Sequence, residues 1–89
     1  MNIDIAAVEC PAPFQLRLTF ENGEVREVDI ADLVPFDGIF EPLNDPAYFR
    51  LVGVNRDVGT VVWPNGADLC PDVLYERSRP AKASGAATP

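Results

Sequence analysis

The chain predicts a small α+β domain: a mostly antiparallel sheet of about five short strands with two short helices. Three observations lead there. Phe14-Gln15-Leu16-Arg17-Leu18-Thr19-Phe20 is a strict period-2 run, with Phe14, Leu16, Leu18 and Phe20 on one face. Asn22-Gly23 follows at once and leads into a second strand-like run, the pattern of a tight hairpin. Two Asx–Pro combinations, Asn44-Asp45-Pro46 and Asp68 before Pro71, mark the starts of two helices.

In chain order, residues 2–9 alternate loosely and read as a first strand. Cys10-Pro11-Ala12-Pro13 should end it, because proline has no N–H for a ladder. The 14–20 run is the clearest strand. Its hairpin partner is Glu24-Val25-Arg26-Glu27-Val28-Asp29-Ile30. A two-residue turn sets Val25 opposite Phe20 but Glu27 opposite Leu18. A bulge near Arg26-Glu27 would return Val28 and Ile30 to the apolar face. Asp29 to Val34 forms a turn or one helical turn.

Pro35 to Leu43 reads as a loop, yet it carries Phe36, Ile39, Phe40 and Leu43. Such a loop either covers one end of the sheet or belongs to a partner or ligand surface. A helix of one or two turns begins at Pro46. Leu51 to Asn55 is a strand, Arg56 to Gly59 a turn, and Thr60 to Trp63 the last strand. After Asn65-Gly66, a helix runs from Asp68, as its N-cap, to about Arg77. The domain therefore spans 1–77, and the Pro/Ala-rich stretch 78–89 reads as a disordered tail. The expected core is Leu16, Leu18, Phe20, Val28, Val54, Val62, Leu69, Val73 and Leu74.

Charge narrows the partners. Residues 1–75 hold thirteen Asp/Glu against four Arg, a balance of −9; residues 76–89 hold Glu76 against Arg77, Arg79 and Lys82, a balance of +2. An acidic body repels phosphate backbones, so no direct nucleic-acid binding is expected, whereas a basic protein partner is compatible. No segment has the length and hydropathy of a membrane span, and no signal peptide is evident, which places the chain in the cytoplasm.

The chain contains no histidine. That removes imidazole acid–base catalysis, Ser-His-Asp and Cys-His machinery, and any imidazole-ligated zinc. Cys10 and Cys70 lie sixty residues apart with no CxxC and read as small packing residues. The remaining reactive groups are carboxylates: Asp29, Asp32 and Asp37 cluster in sequence, and Asp68 and Asp72 lie four apart. Turn and cap roles explain them, and neither set has the spacing of a calcium loop or a glycosidase. No catalytic, cofactor or metal site is expected. Trp63 ends a strand before Pro64 and is either core or an exposed anchor.

One motif group identifies a relative. Leu16-x-Leu18-x-Phe20, Asn22-Gly23-Glu24, Val28-Asp29-Ile30 and Gly38-Ile39-Phe40-x-Pro42-Leu43 resemble the first half of the small prokaryotic domain-of-unknown-function family 2442. Phe49, Val52-x-Val54, Gly59-Thr60-Val61-x-Trp63-Pro64-Asn65-Gly66-Ala67-Asp68-Leu69 and Pro71-Asp72-x-Leu74-Tyr75 resemble its second half. Asn22 stands where the family often has Asp. The resemblance implies an α+β fold with no catalytic residues to carry over. Similar members are often encoded beside another small protein of unknown function, which implies an antitoxin-like or otherwise paired role. Some relatives add a C-terminal helix-turn-helix that this chain lacks, so their DNA binding does not transfer.

These readings converge on a non-enzymatic protein-interaction module. Its partner would be a small basic protein encoded nearby, or a second copy of itself. Contact is expected through a sheet edge or through Phe36, Asp37, Phe40, Trp63, Asn65 and Asp68. The alternative is a small-ligand or metal-binding domain, or a weak enzyme, built on Asp29, Asp37 and Asp68.

Overall fold

The alternating run of Leu16, Leu18 and Phe20 becomes the spine of a four-stranded sheet in the computed structural model, which describes residues 3–81. The strands are β1 (Ile5–Ala12), β2 (Gln15–Phe20), β3 (Val25–Asp29) and β6 (Arg79–Pro80), in the order β1-β2-β3-β6. All pairs are antiparallel. A second, two-stranded sheet joins β4 (Gly53–Asn55) to β5 (Thr60–Val62). The short helices are α1 (Ile30–Leu33), α2 (Pro46–Phe49) and α3 (Pro71–Arg77), with a 3₁₀ helix over Gly38–Asn44. The architecture is the small α+β domain that the sequence predicts.

Several local expectations change. Pro11 lies inside β1 instead of ending it, because β1 is an edge strand and its register shifts between Glu9 and Ala12. A proline at such a place removes no essential ladder bond. Pro13-Phe14 is then the turn of an unforeseen hairpin, with Ala12 paired to Gln15. Phe14 takes φ 67°, the left-handed region that bulky residues avoid. It is held there by its packing: its ring lies 5.5 Å from Phe36 and 5.6 Å from Phe49.

The β2–β3 hairpin has a three-residue loop, Glu21-Asn22-Gly23, with Gly23 at φ 92°. The Phe20 N–H donates to the Glu24 carbonyl at 2.8 Å. That extra loop residue moves the register by one, so Leu16 faces Val28 and no bulge interrupts the pair. It also places Arg26 opposite Leu18, on the inner face.

The loop expected at 35–43 is mostly 3₁₀ helix, and its Leu43 is fully buried. Asp45 caps α2 by accepting from the Ala47 N–H at 3.0 Å, with Pro46 in the first turn as foreseen. Asp68 does not cap α3. It pairs with Val62 as an isolated bridge, while Cys70 occupies the N-cap position and makes no side-chain bond. Proline at 71 sets the helix start instead, since its missing N–H is not needed there.

The chain also continues past residue 77, where the tail was expected to begin. Ser78 is buried, and Arg79–Pro80 pairs with β3 through Arg26↔Pro80 and Glu27↔Arg79. Residues 82–89 of the expected tail lie outside the described residues.

The core sits between the inner face of the large sheet, the helices and β5. Ile5, Leu16, Leu18, Phe20, Val28, Ile30, Leu43, Phe49, Val61, Trp63, Ala67 and Leu74 are buried. Val61, not Val62, is the fully buried valine of β5, and Val73 points outward at 40% exposure. On a strand of three residues, the alternation alone does not say which face meets the core.

Candidate interaction surface

The corner at residues 63–69 is built from the strand end upward. Trp63 follows β5 and is 1% exposed. Its ring lies 5.6 Å from Phe49, and its Nε1–H donates to the Phe49 carbonyl at 2.9 Å. The indole is therefore core, with its one polar atom satisfied. Its burial takes it out of the exposed surface that the sequence suggested.

Asn65 is exposed, but its hydrogen-bonding groups are engaged. Its N–H donates to the Tyr48 hydroxyl at 2.9 Å, its Nδ2 to the Ile39 carbonyl at 2.9 Å, and its Oδ1 accepts from the Ala67 N–H at 3.0 Å. One side chain thus binds the turn to the 3₁₀ helix, and its N–H reaches α2. The segments 36–40 and 63–68 do come together, through a structural tie. Thr60 completes the corner by donating its hydroxyl to the Leu69 carbonyl.

Phe36 is half-buried against Phe14 and Phe49, and Phe40 is half-buried against the core. Asp37 stands exposed before the 3₁₀ helix, without a side-chain capping bond. Asp68 is exposed beside β5. Of the six residues singled out from sequence, only Asp37 and Asp68 present largely free surface groups.

The carboxylates of the ligand-binding alternative are dispersed. Asp29 caps α1 through the Ala31 N–H at 3.0 Å. Among the described residues, no group of three or more acidic or cysteine side chains is arranged to hold a metal ion. Both cysteines are free; burial pushes the Cys10 thiol up, against the Arg50 charge, so the nucleophilic thiolate is disfavoured.

The arginines are occupied unevenly. On the outer face of the large sheet, Arg17 pairs with Glu9 at 3.2 Å and with Glu27 at 3.0 Å. Arg26 on the inner face donates from Nε to Ser78 Oγ and from a terminal nitrogen to the Ser78 carbonyl, both at 2.8 Å. The Tyr75 hydroxyl, then Asn22 and the Arg26 charge, hold the Glu24 carboxyl below its ordinary value, opposed by desolvation.

A second region was not legible in the sequence. Ile3, Asp72, Tyr75 and Glu76 line a cleft of 260 Å³. It adjoins, at Ile3, an open depression lined by Asp4, Glu21 and Asn22. The spacing of Asp72, Tyr75 and Glu76 already puts them on one helix face. Their meeting with Asp4 and Glu21 depends on the β1–β2 pairing, which no local pattern encodes.

No helix among the described residues is long and apolar enough to cross a membrane. No curated protein and no solved structure matches the chain. A family model described as "Protein of unknown function (DUF2442)" matches residues 5–80. The match covers both sheets, the buried Trp63 corner and all three helices, and the chain belongs to this family.

Proposed function

We propose that this chain is a cytoplasmic, non-enzymatic protein-interaction module, the antitoxin-like member of a two-protein pair, whose partner is a small basic protein encoded nearby. The observation that carries this reading is the unneutralised acidity of the folded body. The described residues 3–81 hold fourteen Asp/Glu against six Arg, a balance of −8. Within that body, Arg17 and Arg26 are committed to internal contacts. The exposed carboxylates at Asp4, Glu21, Asp37, Asp68 and Glu76 are left to face solvent. Such a field speeds association with a cationic protein and repels nucleic acid. It also disfavours a homodimer through the same face.

Co-expression with the product of the adjacent gene, followed by co-purification and a growth assay, tests the reading. A complex that weakens as salt is raised is the expected result. Absence of a complex together with an unchanged growth phenotype overturns it.

A further inference from the structure

The hairpin tip, the start of β1 and helix α3 meet around the cleft of Ile3, Asp72, Tyr75 and Glu76. Ile3 and Tyr75 provide its apolar surface. Asp72 and Glu76 stand on the α3 side, and Asp4 and Glu21 on the strand side. Two carboxylates thus flank the Ile3–Tyr75 strip, and two more line the depression that shares Ile3. Among the described residues no cation lines either hollow, and the Arg26 guanidinium sits 4.5 Å from the Tyr75 ring centroid.

The walls are held by backbone and ring contacts. The Glu21 N–H donates to the Asp4 carbonyl at 2.9 Å, and the Ile5 N–H to the Gly59 carbonyl at 2.9 Å. Tyr75 packs edge-on against Phe20 at 5.2 Å.

We infer that this cleft docks a basic amphipathic segment of the partner protein, one in which Lys or Arg alternates with aliphatic residues. The inference rests on the proposal that the partner is a basic protein. A Lys or Arg stem can lie along Ile3 and Tyr75 while its head group reaches the carboxylates, and neighbouring aliphatic residues extend the apolar contact. The acidic rim repels anionic ligands, and a purely apolar occupant would leave the rim's charge unanswered.

The test titrates the isotope-labelled full chain with a synthetic peptide of alternating Arg and Leu, followed by amide chemical shifts. A peptide of alternating Arg and Ser has the same charge without the aliphatic face. Perturbations are expected to concentrate at residues 3–4, 21–22 and 72–76, with weaker binding of the Ser peptide. The double variant Asp72→Asn/Glu76→Gln should bind roughly three- to tenfold more weakly, as two exposed charge pairs allow. A control with the same charge change, Asp37→Asn/Glu41→Gln, should stay within about twofold because neither residue lines the cleft or the depression beside it.

Perturbations spread evenly over the acidic surface, or equal loss in both double variants, overturn the cleft. Co-purification separates this from the broader reading. A complex that forms undiminished with Asp72→Asn/Glu76→Gln removes the cleft and leaves the paired role. Peptide binding at the cleft with no complex from the adjacent gene supports the cleft's chemistry and removes that partner.

Discussion

The Arg26 guanidinium lies 4.5 Å from the centroid of the Tyr75 ring. The same guanidinium donates two hydrogen bonds to Ser78. A charged residue on the inner face of a sheet thereby clasps the helix that closes the domain. Two of its donors are engaged, and the chain beyond α3 is turned back onto β3.

Arg26→Ala should destabilise the domain by about 1–2 kcal/mol, the combined scale of a cation–π contact and two partly buried hydrogen bonds. Arg26→Lys should not restore it, since an ammonium lacks the planar fork. In urea unfolding, Ser78→Ala combined with Arg26→Ala should cost less than the sum of the single changes. Strict additivity would show that Arg26 and Ser78 are not coupled.

The Glu24–Tyr75 pair should shape the pH profile at both ends. Glu24 has a lowered folded-state pKa, so its contribution is present above the ordinary glutamate value and is lost as pH falls through the folded one. Tyr75 is raised, first by the hydrogen bond with Glu24. Its contribution is present below the ordinary tyrosine value and is lost as pH rises through the folded one. Tyr75→Phe should flatten both limbs in melting curves recorded across pH; a profile unchanged at both ends would remove the pairing.

Trp63→Phe should cost about 2–3 kcal/mol, because it leaves a void and deprives the buried Phe49 carbonyl of its donor. In the unmodified protein, emission from this single Trp should be blue-shifted and poorly quenched by acrylamide. Ready quenching would place the indole at the surface.

Asn65 and Asp68 are three residues apart in one motif and should behave differently. Asn65→Ala removes two side-chain bonds and should cost about 1–2 kcal/mol. Asp68→Ala should stay within about 0.5 kcal/mol, as for an exposed residue that caps nothing. Equal losses in chemical denaturation would contradict this division of roles.

Gly59 has φ 72°, and a Cβ there would fall on the Asp4 side chain. Gly66 has φ 92° with open space around the same position. Gly66→Ala should therefore cost about 1 kcal/mol from backbone strain alone. Gly59→Ala should cost visibly more, and Asp4→Gly should recover the difference. A thermal-melt series of the four variants checks it.

The strand of Leu16, Leu18 and Phe20, the Asn22-Gly23 hairpin and the Asp45-Pro46 helix start were legible in the chain itself. Each depends on interactions within a few residues: side-chain alternation, a glycine at positive φ, a carboxylate over a free N–H. The motif at 59–75 carried the family resemblance, while its local reading of Asp68 as a helix cap did not hold. The site was less legible. Phe36–Phe40 and Trp63–Asp68 are indeed neighbours, yet sequence could not say that Trp63 would turn inward and that Asn65 would spend its bonds on the fold.

Sequence alone therefore determined the fold class, most of the turns, the acidity and the lack of imidazole chemistry. Tertiary structure decided the sheet order, the one-residue register that puts Arg26 under Tyr75, the inward face of β5 and the gathering of Asp4, Glu21, Asp72 and Glu76 around Ile3. These outcomes join residues that are distant in the chain, and long-range packing selects among local geometries of similar energy. A side chain's neighbours across a sheet are set by that selection and not by its own local pattern.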